Sequence, residues 1–243
     1  MDTDEFLKQY GKHDENGNYI SADCSNENLI DIPPLPDTII WLRCDHNKLT
    51  KLHDLPNCRR LWCGFNKLTE LPLLSNCESL NCDNNQLTKL PDLPNCHELW
   101  CLGNQLTELP SLSNCDCLFC SYNQLTELPL LSNCEWLHCS DNQLTKLPTL
   151  PNCRSLHCSD NQLIELPDLP NCEELSCTNN QLTKLPDLPK CEELLCFHNQ
   201  LTELPDLPNC RELRCDINQL TKLPDLLKYT RLFDNDRLYS CST

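Results

Sequence analysis

Glycine, methionine, basic residues and long apolar runs are scarce in this chain of 243 residues. With only 4 Gly, it has no glycine-rich phosphate loop, and no nucleophile elbow or His-Glu-x-x-His motif occurs. Lys and Arg total 19 against 36 Asp and Glu, and the net charge of -17 argues against nucleic acid as a partner. No uncharged apolar run approaches the roughly 20 residues of a membrane helix, so we expect no membrane partner.

The N-terminus is acidic and lacks the apolar run of a secretory signal, and no Asn-x-Ser/Thr sequon occurs anywhere in the chain. Both features favour the cytoplasm, where thiols stay reduced. The 22 Cys therefore need an explanation other than a disulfide framework.

The cysteines are part of a repeat. Asn-Cys recurs every 19 residues from Asn57-Cys58 to Asn209-Cys210, with Lys190 replacing one Asn. A second cysteine column lies five residues later, at Cys44, Cys63, Cys82, Cys101, Cys120, Cys139, Cys158, Cys177, Cys196 and Cys215, and Cys24 begins it out of phase. An asparagine follows each of these ten cysteines by three residues, from Asn47 to Asn218. A fixed period over most of a chain is typical of a solenoid.

The unit reads C-x-x-L-x-C-x-x-N-x-L-T-x-L-P-x-L-P-N and resembles the leucine-rich repeat, with Cys in place of two leucines. The short Leu-Pro-x-Leu-Pro unit is similar to repeats of the secreted enterobacterial effectors of the YopM and IpaH kind. The cysteine-rich form with Asn-Gln-Leu-Thr is similar to leucine-rich-repeat proteins of mimivirus-like giant viruses. The resemblance covers residues 22 to about 228 and implies a leucine-rich-repeat solenoid, located in the host cytoplasm if the protein is an effector or viral, but it says almost nothing about function.

The repeat predicts a mainly β leucine-rich-repeat solenoid. Leu-x-Cys alternates as a strand does, with Leu and Cys inward, so stacked coils form a parallel sheet on the concave face. Leucines such as Leu106, Leu109 and Leu112 complete the buried stripe. Prolines make the convex side extended or polyproline-like. We expect a cap at residues 1–21 with a short helix around Asp4–Tyr10, about eleven coils over residues 22–228, and a C-terminal cap and tail at 229–243, with Leu232 in a leucine position.

Three interpretations of the cysteines stay open: a reduced core, disulfides or metal ligation. Small apolar thiols can replace leucine in a narrow coil, which favours the reduced core. Like cysteines on neighbouring coils would lie about 4.8 Å apart, too far for an unstrained disulfide. Cys117, at an outward strand position, and Cys241, in the tail, fall outside the columns.

Outward strand positions carry the aromatic residues of the repeats. Because these rings are costly to expose, we predict that they bind a partner protein, although stacking between coils would also explain them. The candidate partner-binding residues are Trp41, Trp62, Phe65, Trp100, Leu102, Phe119, Tyr122, Trp136 and Phe197. Glutamates of the later coils, such as Glu174 and Glu193, either solubilise the solenoid or favour a basic partner.

A duplicated segment, Leu-His-Cys-Ser-Asp-Asn-Gln-Leu, occurs at 137–144 and 156–163 and should stack His138 on His157. These imidazoles, with Asp141 and Asp160, are a candidate metal site, although duplication alone explains them. Strand alternation points His138 outward and Cys139 inward, which argues against a cysteine nucleophile. The sequence thus predicts a non-enzymatic protein-binding scaffold without cofactors. The alternatives are a self-assembling structural component and a metal- or thiol-binding protein.

Overall fold

The structure is a computed structural model that describes residues 1–222 and two further strands at 231–234 and 237–239. It contains two compact units, Met1–Cys115 with Tyr122–Gln124, and Asp116–Ser121 with Leu125–Thr243. Each unit is described by itself. The fold is mainly β, and apart from one N-terminal helix the described elements are strands of three to five residues.

The first unit opens with the predicted short helix, α1, at Thr3–Tyr10. The carboxylate of Asp2 caps it by accepting a hydrogen bond from the Glu5 backbone N–H at 2.9 Å. The helix buries Phe6 and Leu7. Because isolated helices of two turns are unstable in water, α1 depends on the burial of these two apolar side chains.

An antiparallel hairpin follows the helix, joining β1 (Gly11–His13) to β2 (Tyr19–Asp23). The sequence analysis missed this hairpin. Its turn is closed by Asp14, whose Oδ1 accepts from the backbone N–H groups of Asn16 and Asn18, both at 2.9 Å. Gly17 provides the left-handed position at φ 82°. Strand β2 crosses the boundary expected at residue 22, and the division into cap, solenoid and tail stays a prediction.

From β2 onward, the strands within each unit run parallel and in register, except for the last strand, which is antiparallel; Ala22 of β2 pairs with Leu42, and each later repeat leucine pairs with the next. In the first unit, the strands after β2 are β3 (Trp41–Arg43), β4 (Arg60–Trp62), β5 (Ser79–Asn81) and β6 (Glu98–Trp100). In the second, they are β7 (Cys117–Phe119), β8 (Trp136–His138), β9 (Ser155–His157), β10 (Glu174–Ser176), β11 (Glu193–Leu195), β12 (Glu212–Arg214), β13 (Arg231–Asp234) and β14 (Arg237–Tyr239).

The predicted solenoid strands are β2 to β12, and β13 adds a further parallel strand with Leu232 opposite Leu213, as predicted. The closing strand β14 is antiparallel to β13. The predictions for Tyr229 and Cys241 fall outside the described residues.

The core is built from the two cysteine columns and the repeat leucines. In the middle coils, Leu99, Cys101 and Leu106 are fully buried, and Leu112 is nearly so. The prediction for Leu109 was wrong, because this residue is only half-buried. Its position lies at the edge of the core, where the equivalent Leu185 is 9% exposed. The Leu-Pro-x-Leu-Pro segments form neither helix nor strand in the described coils. Each middle coil buries three leucines, such as Leu99, Leu106 and Leu112, each contributing roughly 1.5–3 kcal/mol.

The asparagine column joins each coil to the one before it. Asn85 shows the arrangement: its Nδ2 donates to the carbonyls of Cys63 at 3.0 Å and Cys82 at 3.1 Å, while its Oδ1 accepts from the Leu68 N–H at 2.9 Å. The same contacts to the preceding coil recur from Asn47 to Asn218. These amides satisfy backbone groups inside the coil that water cannot reach, as the sequence predicted.

Candidate functional site

The predicted partner-binding residues occupy four positions of the repeat. Trp41 and Trp136 begin their strands, and Trp62, Trp100 and Phe119 end theirs. Leu102 and Phe197 follow the buried cysteine, and Phe65 and Tyr122 come one residue later. Trp62, Phe65, Tyr122 and Trp136 are exposed, whereas the other five residues are half-buried. The flanking leucines and cysteines are fully buried, so alternation places the strand residues of this set on the outer face of the sheet, whereas Phe65 and Tyr122 lie beyond the strands at left-handed positions.

In the first unit, side chains from neighbouring coils surround a cavity of about 190 Å³, here called the Trp62 cavity. Arg43 and Trp62 reach it from the ends of β3 and β4, and its lining is Arg43, Asp45, His46, Trp62, Gly64, Phe65 and Asn81. Thus two predicted residues, Trp62 and Phe65, lie together. The polar residues around them were not predicted.

The polar side of the Trp62 cavity is held by one carboxylate. Asp45 accepts from Arg43 Nε at 2.8 Å through Oδ1, and its Oδ2 lies 2.8 Å from His46 Nδ1. The Arg43 guanidinium lies 5.4 Å from the centre of the Trp62 ring. Burial raises the pKa of Asp45, but the hydrogen bonds from Arg43 and His46 outweigh it and lower the pKa below its ordinary value. The carboxylate is therefore charged at neutral pH, and it fixes the guanidinium beside the tryptophan.

The apolar side of the Trp62 cavity is a stacked pair of rings. His46 and Phe65 lie with their ring centres 4.4 Å apart and their planes 15° from parallel. Both residues have left-handed backbone, with φ 57° and 55°. The same position is left-handed in each later described coil, at Asn84, Gly103, Tyr122, Asp141, Asp160, Asn179, His198 and Ile217. Asn, Asp and Gly tolerate left-handed backbone better than other residues, so their frequency at this position is a sequence signal for the left-handed turn.

The other predicted residues of the first unit are more scattered. Trp41 is opposite Arg60, and Trp100 is opposite Asn81. The Leu102 N–H donates to Asp83 Oδ1 at 2.7 Å, and burial raises the pKa of Asp83. Tyr122, with 59% of its surface exposed, is the most exposed aromatic of the set.

In the second unit, rings at the ends of three adjacent strands form a ladder. Phe119 meets His138 edge-on at 4.3 Å, and His138 stacks on His157 at 4.1 Å with an angle of 11°. The stack of His138 on His157 confirms the sequence prediction. Burial, and then the neighbouring His157, lower the pKa of His138 to about 4, so this imidazole is neutral at physiological pH. Trp136 lies on the same face, opposite Cys117 and Ser155.

Phe197, near the end of the described repeats, is covered by a guanidinium. Arg214 lies 4.0 Å from the centre of the Phe197 ring, and its Nε donates to Asp216 at 3.0 Å. Arg214-Cys215-Asp216 thus repeats the arrangement of Arg43-Cys44-Asp45 near the start of the repeats. The sequence analysis missed these Arg–Asp pairs, whose signal is Arg and Asp flanking a buried cysteine.

None of the described cysteines forms a disulfide, and all but the half-buried Cys117 are buried. In the first column, the thiols donate hydrogen bonds to carbonyls two residues ahead, as in Cys58 to Arg60 at 3.2 Å and Cys77 to Ser79 at 3.4 Å. Burial raises the pKa of Cys58 to about 11 and of Cys77 to about 12. In the second column, burial holds the pKa of Cys63 well above its ordinary value. Neutral, enclosed thiols are poor nucleophiles and poor metal ligands.

Two polar grooves border the strands. One, of about 750 Å³ in the first unit, is lined by Asp37, Thr38, Ile40, Asn57, Arg59, Asn76, Glu78, Asn95 and His97. The other, of about 390 Å³ in the second unit, is lined by Glu135, Asn152, Arg154, Asn171, Glu173 and Lys190. Their asparagines hold the preceding coil, as Asn76 does by donating to the Pro56 carbonyl at 2.9 Å. Among the described residues, no three His, Cys, Asp or Glu side chains converge as metal ligands, and no helix is long and apolar enough to cross a membrane.

Comparison with known proteins supports the repeat assignment. No family model and no curated protein matches the chain. Among solved structures, YopM from Yersinia pestis is 29% identical, with a TM-score of 0.57, covering 87% of this chain and 81% of YopM. YopM from Yersinia enterocolitica is 31% identical, with a TM-score of 0.64, covering 89% of this chain and 59% of that one.

The functional domain of InlJ from Listeria monocytogenes, described as including a cysteine ladder, is 28% identical with a TM-score of 0.75. The match covers 89% of this chain and 53% of InlJ. The stacked strands, the asparagine column and these neighbours together show that the chain is a leucine-rich-repeat protein similar to YopM.

Proposed function

We propose that the protein is a non-enzymatic scaffold that binds a partner protein through aromatic side chains on the outer face of its sheet. The observation that carries the proposal is the exposure of Trp62 and Phe65 beside the Trp62 cavity, at 38% and 49% of their surfaces. Large aromatic side chains next to an arginine are typical hot spots of protein interfaces. The leucine-rich-repeat neighbours support a role in protein interaction in general.

Backbone conformation gives a second argument for Phe65 and Tyr122. Both are bulky residues at a left-handed position, with φ 55° and 56°, where glycine or asparagine would be less strained. Each non-glycine residue held in this left-handed conformation costs on the order of 1 kcal/mol of folding free energy, and the burial of an exposed ring offsets little of that cost. Binding of a partner would explain why the chain keeps aromatic residues there.

The proposed partner is a protein, with no cofactor and with neither nucleic acid nor a membrane involved. The proposed location is the cytoplasm, or the host cytoplasm if the protein is delivered to a host cell. The S–H···O bonds of the first cysteine column support a reducing compartment, because a disulfide sulfur has no hydrogen to donate. The acidic composition would favour association with basic surfaces by steering.

The decisive experiment compares two double variants in a pull-down from cell lysate. Trp62→Ser with Phe65→Ser removes the exposed rings of the Trp62 cavity. Leu73→Ser with Leu130→Ser is the matched control, since these leucines are 75% and 73% exposed outside the strands. We expect the first variant to lose a protein that the parent and the control both retain, with unchanged circular dichroism. Equal retention by both variants would contradict the proposal.

Self-association is tested by size-exclusion chromatography with light scattering. A concentration-dependent dimer of the parent, abolished by Trp62→Ser with Phe65→Ser, would mean that the face binds a second copy of the chain. A monomer that retains a foreign protein supports the scaffold.

A further inference from the structure

His138 and His157 form an arrangement that partner binding does not require. The two residues are directly opposite each other on the parallel strands β8 and β9, and both are half-buried. Their rings are 4.1 Å apart and nearly parallel, at 11°. The edge of Phe119 closes one side of the pair, 4.3 Å from His138. The strand spacing of about 4.8 Å sets the separation, and matching side-chain conformations make the rings parallel.

Within the part of the chain that the structure describes, the ring nitrogens of His138 and His157 make no hydrogen bonds. Both rings are only half-buried, so these nitrogens are open to solvent and are not unsatisfied groups in the interior. Here two neighbouring rings keep their nitrogens available on the outer face. By contrast, His46 is engaged with Asp45.

We propose that His138 and His157 together chelate one divalent transition-metal ion of the kind that prefers imidazole, such as Ni²⁺, Cu²⁺ or Zn²⁺. Metal–nitrogen bonds of about 2.0–2.1 Å at a tetrahedral angle place two ligating nitrogens about 3.3 Å apart. Imidazole lone pairs lie in the ring planes, so nearly parallel rings 4.1 Å apart must both rotate substantially toward each other before two nitrogens converge on one ion. Imidazole suits these metals better than Mg²⁺ or Ca²⁺, which take oxygen ligands.

The site would have two protein ligands and would be open, with water in the remaining positions. Asp160, which the sequence suggested as a further ligand, accepts a hydrogen bond from Asn179 Nδ2 at 2.8 Å. Cys139 and Cys158, one residue after each histidine, are fully buried on the opposite side of the strands and cannot reach the same ion. The proposal does not depend on the partner-binding function, because it concerns a different part of the face from the Trp62 cavity.

The experiment titrates Ni²⁺ into the full chain by isothermal calorimetry. A Cys117→Ser, Cys241→Ser background removes the half-buried thiol and the tail thiol. We expect saturable binding of one equivalent. His138→Asn and His157→Asn should each weaken binding roughly 100-fold, because the second ligand of a chelate binds intramolecularly. His97→Asn removes a histidine of the polar groove and is the matched control, with no expected change.

A second measurement, by NMR, keeps all histidines in place, so its result does not depend on whether the histidine variants fold. In the same background, substoichiometric Ni²⁺ should broaden the ring-proton signals of two of the 7 His, those of His138 and His157. Absence of saturable binding, equal weakening by His97→Asn, or broadening of other histidines alone would each overturn the proposal.

Discussion

Replacing Asn85 by alanine tests how the coils are held together. Asn85 is buried and bonds to the Leu68 N–H and to the carbonyls of Cys63 and Cys82. Without the amide, the Leu68 N–H has no partner inside the coil, whereas the Cys63 and Cys82 carbonyls each lose one bond but keep another, from Asn66 and Asn104. At about 1–3 kcal/mol for the unpaired N–H and about 0.5–1.5 kcal/mol for each lost bond to a carbonyl, Asn85→Ala should lower the free energy of unfolding by about 2–6 kcal/mol.

The matched control is Asn76→Ala in the same coil. Asn76 is exposed and its side chain donates one hydrogen bond, to the Pro56 carbonyl at 2.9 Å, which water can replace. We expect a loss below about 1 kcal/mol.

Urea unfolding followed by circular dichroism separates the two variants. With a slope of about 1–3 kcal/mol per molar urea, the midpoint of Asn85→Ala should fall by at least about 0.3 M relative to Asn76→Ala. Equal midpoints would refute the reasoning, because the buried amide would then contribute no more than a solvent-exposed one. Asn85→Asp keeps the acceptor for Leu68 but loses the donors, so its midpoint should also lie below that of the control.

Three further predictions concern strain, thiols and charge. Ile217→Gly should raise the free energy of unfolding by up to about 1 kcal/mol in urea unfolding, because Ile217 is β-branched at φ 53°, and a lower stability would contradict this. A thiol reagent should modify Cys117 in the native chain but the enclosed cysteines only after denaturation, so Cys117→Ser should remove one fast equivalent. Rapid labelling of the two cysteine columns in the native chain would refute the reduced core. Glu173→Gln breaks an exposed ion pair, 2.9 Å from Arg154, and should lower the free energy of unfolding by under about 1 kcal/mol, whereas Asp216→Asn neutralises a buried carboxylate and should lower it by about 1–3 kcal/mol. Equal shifts in melting temperature for the two variants would argue against that distinction.

The repeat and its inward columns could be predicted because identical constraints recur in each coil. Leu and Cys at fixed spacing can face one side only if the chain alternates, and Asn at one position has one set of backbone groups within reach. Leu109 departs from this rule because its position lies at the edge of the core, where the equivalent Leu185 is still 9% exposed. The hairpin of β1 and β2 could not be derived from the repeat, since residues 11–18 lie outside it, although Asn16-Gly17 is a turn signal.

The candidate site was predictable only as a set of positions. The alternation placed Trp62 on the outer face, but it did not show that Asp45 would hold Arg43 beside Trp62 or that His46 would stack on Phe65. Those contacts depend on side-chain conformations and on the left-handed turn, which the sequence analysis did not identify. The stack of His138 on His157 was predictable because both the residues and their register repeat.

The asparagine column also gives the stack a direction. The Leu182 N–H is satisfied by Asn199, one repeat further along the chain, and Leu201 depends in turn on Asn218. Deleting coils from the N-terminal side therefore leaves each surviving coil with its donor and acceptor. Deletion from the C-terminal side deprives the new last coil of the acceptor for its leucine N–H, while its cysteine carbonyl keeps the bond from its own asparagine, as Cys196 does from Asn199.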